Sequence, residues 1–380
     1  MMRHRTRRTT RVTLAAVLLV PTLALTACDS GADMQQWPDP ADPTLPLPAG
    51  ASFSTSPDDV GPLQDDGGEP FGSLAPGVDT PEDRVPEIIE RGRLIVGVAQ
   101  SMNQLGFRDP VTGDMAGFEV DLAHEIARDI FGDPDRVDFR YVEGSNREDA
   151  LRDGDVDIVV RSMTITRARQ TNVEFSAPYL SVSPGLLVSR DSGITGEDDL
   201  TDRTVCVTRN STSAQSMARD IPHGRLLLTE TWPDCLMAMQ HDQVDAIYSD
   251  SAVLSGLRAQ DPNTEIVSTN QDIDYYGVAT APPTLRDTAG LVRQVNATLE
   301  RIREDGTWVR IYNQWLAPYI GASYQPAAEY RTDEESTQLR QIRLDAEAAA
   351  ATSSSAAPST STSTGRATTT ADATEPDEED

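Results

Sequence analysis

The sequence predicts an α/β protein with two lobes that are joined by a hinge of two strands. Over roughly residues 84–322, short β-rich runs alternate with segments of helical periodicity, a pattern typical of α/β units with parallel sheets. The expected strands are continuously apolar, as at residues 158–160, which indicates a sheet covered on both faces. Two extended segments, residues 185–188 and 277–280, flank the second series of units. The chain is therefore expected to leave the first lobe and return to it.

The individual elements follow from the spacing of apolar residues. In the first lobe we expect strands at residues 94–98, 137–142 and 156–160 and helices at residues 118–130 and 146–152. In the second lobe we expect strands at residues 205–207, 226–228 and 246–248 and helices from about residue 213, at 234–241 and at 251–260. After the chain returns, a helix over residues 291–304 is expected to end at Asp305-Gly306, because glycine favours helix C-termini. Another helix is expected to begin at Trp308.

The composition excludes several classes of function. The chain of 380 residues carries 61 acidic and 32 basic side chains, a net charge of −29. This charge excludes a nucleic-acid-binding protein that works by neutralising phosphates. Every basic residue is arginine, which excludes chemistry that needs a lysine amine. The four histidines are scattered and the sequence has no G-x-S-x-G elbow. We therefore expect no metal site, no cofactor and no hydrolase activity.

Residues 1–27 have the pattern of a secretory signal peptide. Five arginines precede an apolar run over residues 12–27 that Pro21 interrupts, and a membrane-spanning helix would need a longer run of about 20 residues. The run ends in Leu25-Thr26-Ala27-Cys28, which resembles a bacterial lipobox. The resemblance implies that Cys28 is acylated and tethers the protein to the extracytoplasmic face of the cell membrane.

The segments that flank the folded region are expected to be disordered. Residues 28–83 are rich in proline, aspartate and glycine without sustained periodicity, which indicates a flexible spacer. Residues 323–380 form an acidic, low-complexity tail rich in alanine, serine and threonine, with too few apolar residues for a core. Within this tail, residues 330–351 could form a short exposed helix, to which we assign no function.

The folded region contains two cysteines, Cys206 and Cys235. An exported chain meets an oxidising compartment, and Cys28 would be used for lipid, so a disulfide between the other two is favoured. Two buried free thiols are the alternative that the sequence leaves open.

Several segments together resemble one protein family. They occur over about residues 91–316 and read GRLIVGVA, GFEVDLAHEIA, VDIVVRSMTITRARQTNVEFSAPY, VCVTRNSTSAQSM, QVDAIYSD and LERIREDGTWVRIYNQWL. In order and spacing they resemble the polar-amino-acid solute-binding proteins of ABC transporters (solute-binding family 3), most of all actinobacterial glutamine/glutamate-binding lipoproteins, which also have paired cysteines at these positions. The resemblance implies a type II periplasmic-binding-protein fold with a ligand cleft between the lobes. The first lobe would comprise residues 84–185 and 277–322, and the second lobe residues 186–276.

The resemblance also implies a set of residues that hold a free amino acid. Arg169 would bind the α-carboxylate through its fixed fork of donors, and Asp250 would receive the α-ammonium at the end of a strand. The remaining contacts would come from hydroxyl and backbone groups of Ser162, Thr164, Ser211 and Thr212. The last two stand where the N-terminus of a helix favours an anion.

The group that recognises the ligand side chain is less determined by the sequence. Arg147 resembles an arginine that acidic-amino-acid binders direct at the side-chain carboxylate, which favours glutamate or aspartate over glutamine or asparagine. A solvated loop arginine is the alternative. The first loop, AQSMNQLGF, lacks the acid and the aromatic residue of glutamine binders, which leaves Gln100, Asn103 and Gln104 as polar candidates. Arg161 is either a further cleft charge or a cation at the strand edge.

Two functions remain open from the sequence, and a third is disfavoured. The first is delivery of a polar amino acid to an ABC permease, and the second is a sensor lipoprotein that signals through a membrane protein to a cytoplasmic kinase. An enzyme similar to cyclohexadienyl dehydratase is disfavoured, because Arg169, Thr164 and Asp250 describe a zwitterion site. We expect a monomer that binds the membrane only through its lipid anchor.

Overall fold

The computed structural model describes residues 45–62, 64–269 and 272–355. The predicted signal peptide, Cys28 and residues 356–380 lie outside these ranges. The strands are β1 (Ser52–Phe53), β2 (Leu94–Val98), β3 (Ser101–Met102), β4 (Gly106–Arg108), β5 (Met115–Ala116), β6 (Val137–Tyr141), β7 (Ile158–Val159), β8 (Glu174–Val182), β9 (Pro184–Ser189), β10 (Thr204–Thr208), β11 (Arg225–Thr229), β12 (Ala246–Asp250), β13 (Thr264–Ser268) and β14 (Asp274–Thr280). The helices are α1 (Pro81–Arg84), α2 (Pro86–Arg91), α3 (Phe118–Phe131), α4 (Arg147–Asp153), α5 (Thr212–Arg219), α6 (Trp232–Gln240), α7 (Ser251–Gln260), α8 (Ala289–Glu304), α9 (Thr307–Trp315), α10 (Ala317–Ile320) and α11 (Asp333–Ser355).

Two separate sheets form the two lobes. The sheet of the first lobe has the order β6-β2-β7-β14-β8, and β2 is parallel to both of its neighbours. The sheet of the second lobe has the order β1-β11-β10-β12-β9-β13, and β10 is parallel to β11 and β12. Ser183 joins β8 to β9, and the chain returns from β13 to β14. This arrangement confirms the predicted fold of two α/β lobes with a hinge of two connections.

The apolar periodicity of the sequence accounts for the main elements. In β2, the side chains of Leu94, Val96 and Val98 are fully buried, as expected for a central strand with helices on both faces. The helix α3 buries Ile126 against this core and ends before Gly132, whose left-handed conformation (φ of 71°) terminates it. Glycine adopts this conformation without a steric penalty.

The two cysteines of the folded region are joined. Cys206 lies in β10 and Cys235 in α6, and they form a disulfide with a distance of 5.6 Å between their Cα atoms. The bridge links α6, the helix between β11 and β12, to the central strand β10 of the second-lobe sheet. Of the two possibilities that the sequence leaves open, the structure has the disulfide and not two free thiols.

The expectation that residues 28–83 form a disordered spacer is wrong for the described part, from residue 45 onward. The strand β1 pairs antiparallel with β11 and so extends the second-lobe sheet. Val60 lies in the core of the same lobe with only 3% of its surface exposed. Ser73 forms hydrogen bonds with the first lobe. The order of this segment comes from contacts with distant residues, which local composition does not reveal.

The C-terminal tail also differs from expectation over its described part. The helix predicted at residues 330–351 is present as α11, but it packs against the first lobe instead of lying exposed. Arg343 is buried, donates to the carbonyl oxygens of Gln170 and Val173 at 2.8 Å each, and pairs with Glu174 at 2.9 Å. Within the described ranges, none of the helices combines the length and apolar character that would be required to traverse a bilayer.

Candidate functional site

A polar cavity lies between the two lobes. The first lobe contributes Gly144, Arg147, Arg161, Ser162, Thr164, Arg169 and Tyr276 to its lining. The second lobe contributes Thr208, Arg209, Ser211, Thr212, Ser213, Glu230, Thr231, Trp232, Ser249, Asp250 and Val253. The predicted ligand-contact residues that meet in this one place are Arg147, Ser162, Thr164, Arg169, Ser211, Thr212 and Asp250.

Arg169 is held rigidly at this cavity. It begins a short 3₁₀ helix after β7 and is 97% buried, with a relative exposure of 3%. Its Nη1 donates to the carbonyl oxygen of Thr164 at 2.9 Å, and its Nε donates to the side-chain oxygen of Gln64 at 2.9 Å. Two of the guanidinium nitrogens are thus fixed before any ligand enters, which reduces the entropy that binding would cost.

Two further arginines stand beside it. Arg147 is buried and donates to the carbonyl oxygens of Gly144, Arg161 and Ser162. The alternative of a solvated loop arginine is therefore wrong for Arg147, because its side chain is buried and donates to backbone carbonyls. The Nε atom of Arg161 is buried and has no hydrogen-bond partner among the described residues. Both guanidinium groups line the cavity.

The three arginines make the cavity strongly cationic. Burial, together with the like charge of Arg147, lowers the pKa of Arg169 to about 9 and that of Arg161 to about 10. Burial also lowers the pKa of Arg147. Within the described ranges, no ion pair involves any of the three. Lowered pKa values mean that the positive charges are poorly compensated, so an entering anion would be stabilised.

Glu119 organises the turn at Ser162, which lines the cavity, and sequence reasoning missed it. Its Oε1 accepts hydrogen bonds from the backbone N–H of Ser162 at 2.5 Å and from the hydroxyl of Tyr179 at 2.7 Å. Ser162 has a φ of 38°, a conformation that disfavours side chains other than glycine, so this bond stabilises a strained turn. Burial raises the pKa of Glu119. A charged residue on the buried face of α3 was the sequence signal that could have revealed this role.

Asp250 provides a buried anionic group in the cavity. It ends β12 and precedes α7, at the carboxyl edge of the second-lobe sheet. It is 7% exposed, and its Oδ2 accepts a hydrogen bond of 2.7 Å from the hydroxyl of Tyr276. Burial raises the pKa of Asp250, and the Tyr276 hydrogen bond opposes that rise. Tyr276 lies in β14, the strand by which the chain returns to the first lobe. Sequence reasoning did not select it as a site residue.

Ser211 and Thr212 lie where α5 begins. Ser211 is the N-cap: its Oγ accepts from the backbone N–H of Ala214 at 2.9 Å and donates to the carbonyl oxygen of Thr208 at 2.7 Å. The hydroxyl of Ser211 is therefore used within the protein. Thr212 is the first residue of α5 and lines the cavity. The free N–H groups at a helix N-terminus favour a bound anion.

Asn103 and Gln104 are not brought to this cavity, which corrects the expectation that they contact the ligand. Neither residue belongs to the lining. The Oδ1 of Asn103 accepts from the backbone N–H of Gln104 at 3.0 Å, and the carbonyl of Asn103 approaches α7 so closely that only a glycine, Gly256, fits there. This loop therefore makes a contact between lobes.

Within the described ranges, no group of three or more histidine, cysteine, aspartate or glutamate side chains could hold a metal ion. The site instead consists of fixed hydrogen-bond donors and the buried carboxylate of Asp250 in a cleft between two lobes. These features define the class of type II periplasmic binding proteins.

The comparison with known proteins gives the family. The chain matches the bacterial extracellular solute-binding proteins, family 3, over residues 94–318 and belongs to that family. It is 29% identical over 236 residues to the ABC transporter glutamine-binding protein of Bacillus subtilis, covering 62% of this chain and 85% of that protein. It is 30% identical over 240 residues to a glutamate-binding protein of Corynebacterium efficiens, covering 60% and 80% of the two chains.

Solved structures agree with this assignment. A solute receptor for L-cysteine from Neisseria gonorrhoeae superimposes with a TM-score of 0.57 at 26% identity, covering 62% of this chain and 95% of that one. The named relatives are binding proteins, and this chain is accordingly a solute-binding protein and not an enzyme.

Proposed function

We propose that the protein captures an acidic amino acid, glutamate or aspartate, and delivers it to an ABC importer. The observation that carries this proposal is the convergence of Arg147, Arg161 and Arg169 on one cavity without an ion-pair partner among the described residues. A ligand with one carboxylate would compensate only part of this charge. A ligand with two carboxylates fits better, because each could pair with a separate guanidinium.

The remaining ligand contacts follow from the same geometry. Arg169 would receive the α-carboxylate, since its fork is fixed by Thr164 and Gln64. Asp250 would receive the α-ammonium, the one cationic group of the ligand. Arg147 and Arg161 would then face the side-chain carboxylate, and glutamine or asparagine would bind less tightly. The glutamine- and glutamate-binding relatives support a ligand of this class.

Calorimetric titration of the purified protein with each standard amino acid tests the proposal. We expect tight binding of glutamate or aspartate and weaker binding of glutamine and asparagine. Arg169→Ala should weaken all four by about 2–5 kcal/mol, because a buried charged partner is lost. Binding of glutamine in preference to glutamate would contradict the acidic ligand. Failure of every amino acid to bind would contradict the proposed function itself.

We propose further that Cys28 carries the lipid anchor. It follows a signal-peptide pattern and lies 17 residues before the first described residue, Leu45. Labelling of producing cells with a fatty-acid analogue should mark the wild-type protein, and Cys28→Ser should abolish the label and release the protein from membranes. A Cys28→Ser protein that stays membrane-bound and labelled would contradict the anchor.

A further inference from the structure

A segment that precedes the solute-binding region crosses from one lobe to the other beside the cavity. We call residues 52–62 and 64–73 the strap. Its first part belongs to the second lobe through β1, and its last part is bonded to the first lobe. It therefore connects the lobes independently of the two hinge connections that β8–β9 and β13–β14 provide.

The anchor of the strap on the second lobe lies next to the ligand cavity. Val60 is buried in the core of that lobe, and its carbonyl oxygen accepts a hydrogen bond of 2.8 Å from the backbone N–H of Asn210. Asn210 has a φ of 55° and directly precedes Ser211, the N-cap of α5. The strap thus supports the turn at which α5 starts to face the cavity.

The crossing point is the pair Gln64 and Asp65. Toward the second lobe, the side-chain oxygen of Gln215 accepts from the backbone N–H groups of Gln64 at 2.8 Å and Asp65 at 3.2 Å, and Gln215 Nε2 donates to the carbonyl oxygen of Asp65 at 2.6 Å. Toward the first lobe, the carbonyl oxygen of Gln64 accepts from the hydroxyl of Thr166 at 2.5 Å, and its side-chain oxygen accepts from Arg169 Nε at 2.9 Å. Gln64 is 8% exposed.

After this crossing, the strap is bonded to the first lobe a second time. The backbone N–H and carbonyl of Phe71 exchange two hydrogen bonds of 2.8 Å with the side-chain amide of Gln170, the residue after Arg169. The hydroxyl of Ser73 donates to the carbonyl oxygen of Phe175 at 2.7 Å. The crossing residues are therefore held from both ends, which keeps the backbone of Gln64 in place beside Arg169.

We propose that Gln64 is a positioning residue for ligand capture and that the strap carrying it favours the closed cleft. This inference rests on the proposed function of the cavity as an amino-acid site. Gln64 orients Arg169 without neutralising it, since an amide oxygen accepts a hydrogen bond but carries no charge. The guanidinium keeps its full charge for the ligand carboxylate.

The effect on closure follows from the position of the bonds. If the lobes rotated apart, Gln215 of the second lobe would move away from Thr166 and Arg169 of the first lobe. The strap is bonded to all three through two adjacent residues of its own. Opening must therefore break the bonds to one lobe or the other. A link that exists only in the closed form shifts the population toward that form and raises the apparent affinity.

Two variants and one control test the inference. Gln64→Met keeps the volume of the side chain but removes the acceptor for Arg169, whereas Gln215→Met removes the attachment to the second lobe. Gln243→Met is the matched control, because Gln243 Nε2 also donates to the carbonyls of the N-terminal segment, at Leu45 and Pro46, but away from the crossing. Calorimetry with glutamate and glutamine, stopped-flow dissociation rates and thermal unfolding without ligand are measured for each protein.

Gln64→Met should bind glutamate and glutamine each about tenfold more weakly, since a hydrogen bond to a charged group is lost and both ligands share the α-carboxylate. Gln215→Met should dissociate roughly tenfold faster, and Gln243→Met should match the wild type in binding. The unfolding temperature of Gln64→Met should not fall below that of the control.

The outcomes separate the two claims. If the wild type binds no amino acid, the proposed function fails. If the wild type binds and Gln64→Met binds both ligands equally well, the positioning role is overturned. If affinity falls in all three variants in proportion to the decrease in their unfolding temperatures, the strap only stabilises the fold. The inference is then also overturned.

Discussion

The hydroxyl of Tyr276 donates a hydrogen bond of 2.7 Å to Oδ2 of Asp250, and this bond joins β14 of the first lobe to the end of β12 in the second lobe. Both side chains are buried and both line the cavity. The phenol therefore stabilises the ionised form of the carboxyl that would receive the ligand ammonium. It also connects that carboxyl to the hinge strand.

Tyr276→Phe should shift the pH dependence of amino-acid binding. Without the donor, burial raises the pKa of Asp250 further, and the ammonium needs the ionised carboxylate. Affinity falls as pH drops through this pKa, so the loss should begin at a higher pH in the variant. At neutral pH we expect roughly tenfold weaker binding, measured by calorimetry over a pH series.

Tyr312→Phe is the matched control, since its hydroxyl donates to the carbonyl of Gly321 at 2.9 Å, outside the cavity lining. This control should keep the wild-type pH profile. An unchanged profile in Tyr276→Phe would show that Asp250 does not depend on the phenol.

The preference for acidic ligands should depend on Arg161. Its Nε has no partner among the described residues, so Arg161→Met removes a donor that the fold does not use elsewhere. Glutamate should bind about tenfold or more weakly, while glutamine changes little. The ratio of the two dissociation constants, measured by calorimetry, is the readout.

Arg147→Met should change the same ratio but should also lower stability, because Arg147 donates to three backbone carbonyls. Arg209→Met is the control: Arg209 lines the cavity, yet it already pairs with Glu230 at 3.4 Å. If neither Arg161→Met nor Arg147→Met changes the ratio, the preference for a second carboxylate is wrong.

Much of the fold follows from local sequence patterns. The strand β2 and the helix α7 have the bounds that apolar periodicity predicts, residues 94–98 and 251–260. Seven of the predicted ligand residues line the cavity, because strand ends of parallel sheets meet at one edge. The family resemblance supplied their roles.

The strap and α11 could not be predicted in this way. Their order depends on single residues that meet partners far along the chain, as Gln64 meets Arg169 and Arg343 meets Glu174. A window of sequence shows only that proline, aspartate or alanine is abundant. Glu119 could have been noticed as a charged residue on the buried face of α3, but its partners Ser162 and Tyr179 could not, since no spacing rule connects them to it.

The docking of α11 should contribute to the stability of the first lobe. Arg343→Met would leave the carbonyls of Gln170 and Val173 without a donor and would remove one of two partners of buried Glu174. We expect a loss of roughly 3 kcal/mol in the free energy of unfolding, measured by chemical denaturation. Arg340→Met, an exposed arginine on the same helix, should leave stability nearly unchanged, and equal losses in both variants would contradict this role.

The side chain of Asp274 should make the ligand-free protein less stable as pH rises. Burial, with the nearby charges of Asp250, Asp65 and Asp272, raises the pKa of Asp274 from 3.8 to about 6. The folded protein therefore binds this proton more tightly than the unfolded chain. Below pH 3.8 the group has no effect on stability, and its destabilising effect is complete above about pH 6.

Asp274→Asn should consequently be more stable than the wild type at neutral pH, by roughly 2–3 kcal/mol, and the two proteins should converge in acid. Asp199→Asn is a control of opposite sign, since hydrogen bonds from the backbone and side chain of Thr195 lower the pKa of Asp199. That variant should lose stability at neutral pH and converge with the wild type as pH falls. Unfolding temperatures measured over a pH series test this prediction. An Asp274→Asn protein that is less stable than the wild type at neutral pH would contradict it, because the ionised carboxylate would then be stabilised by the folded protein.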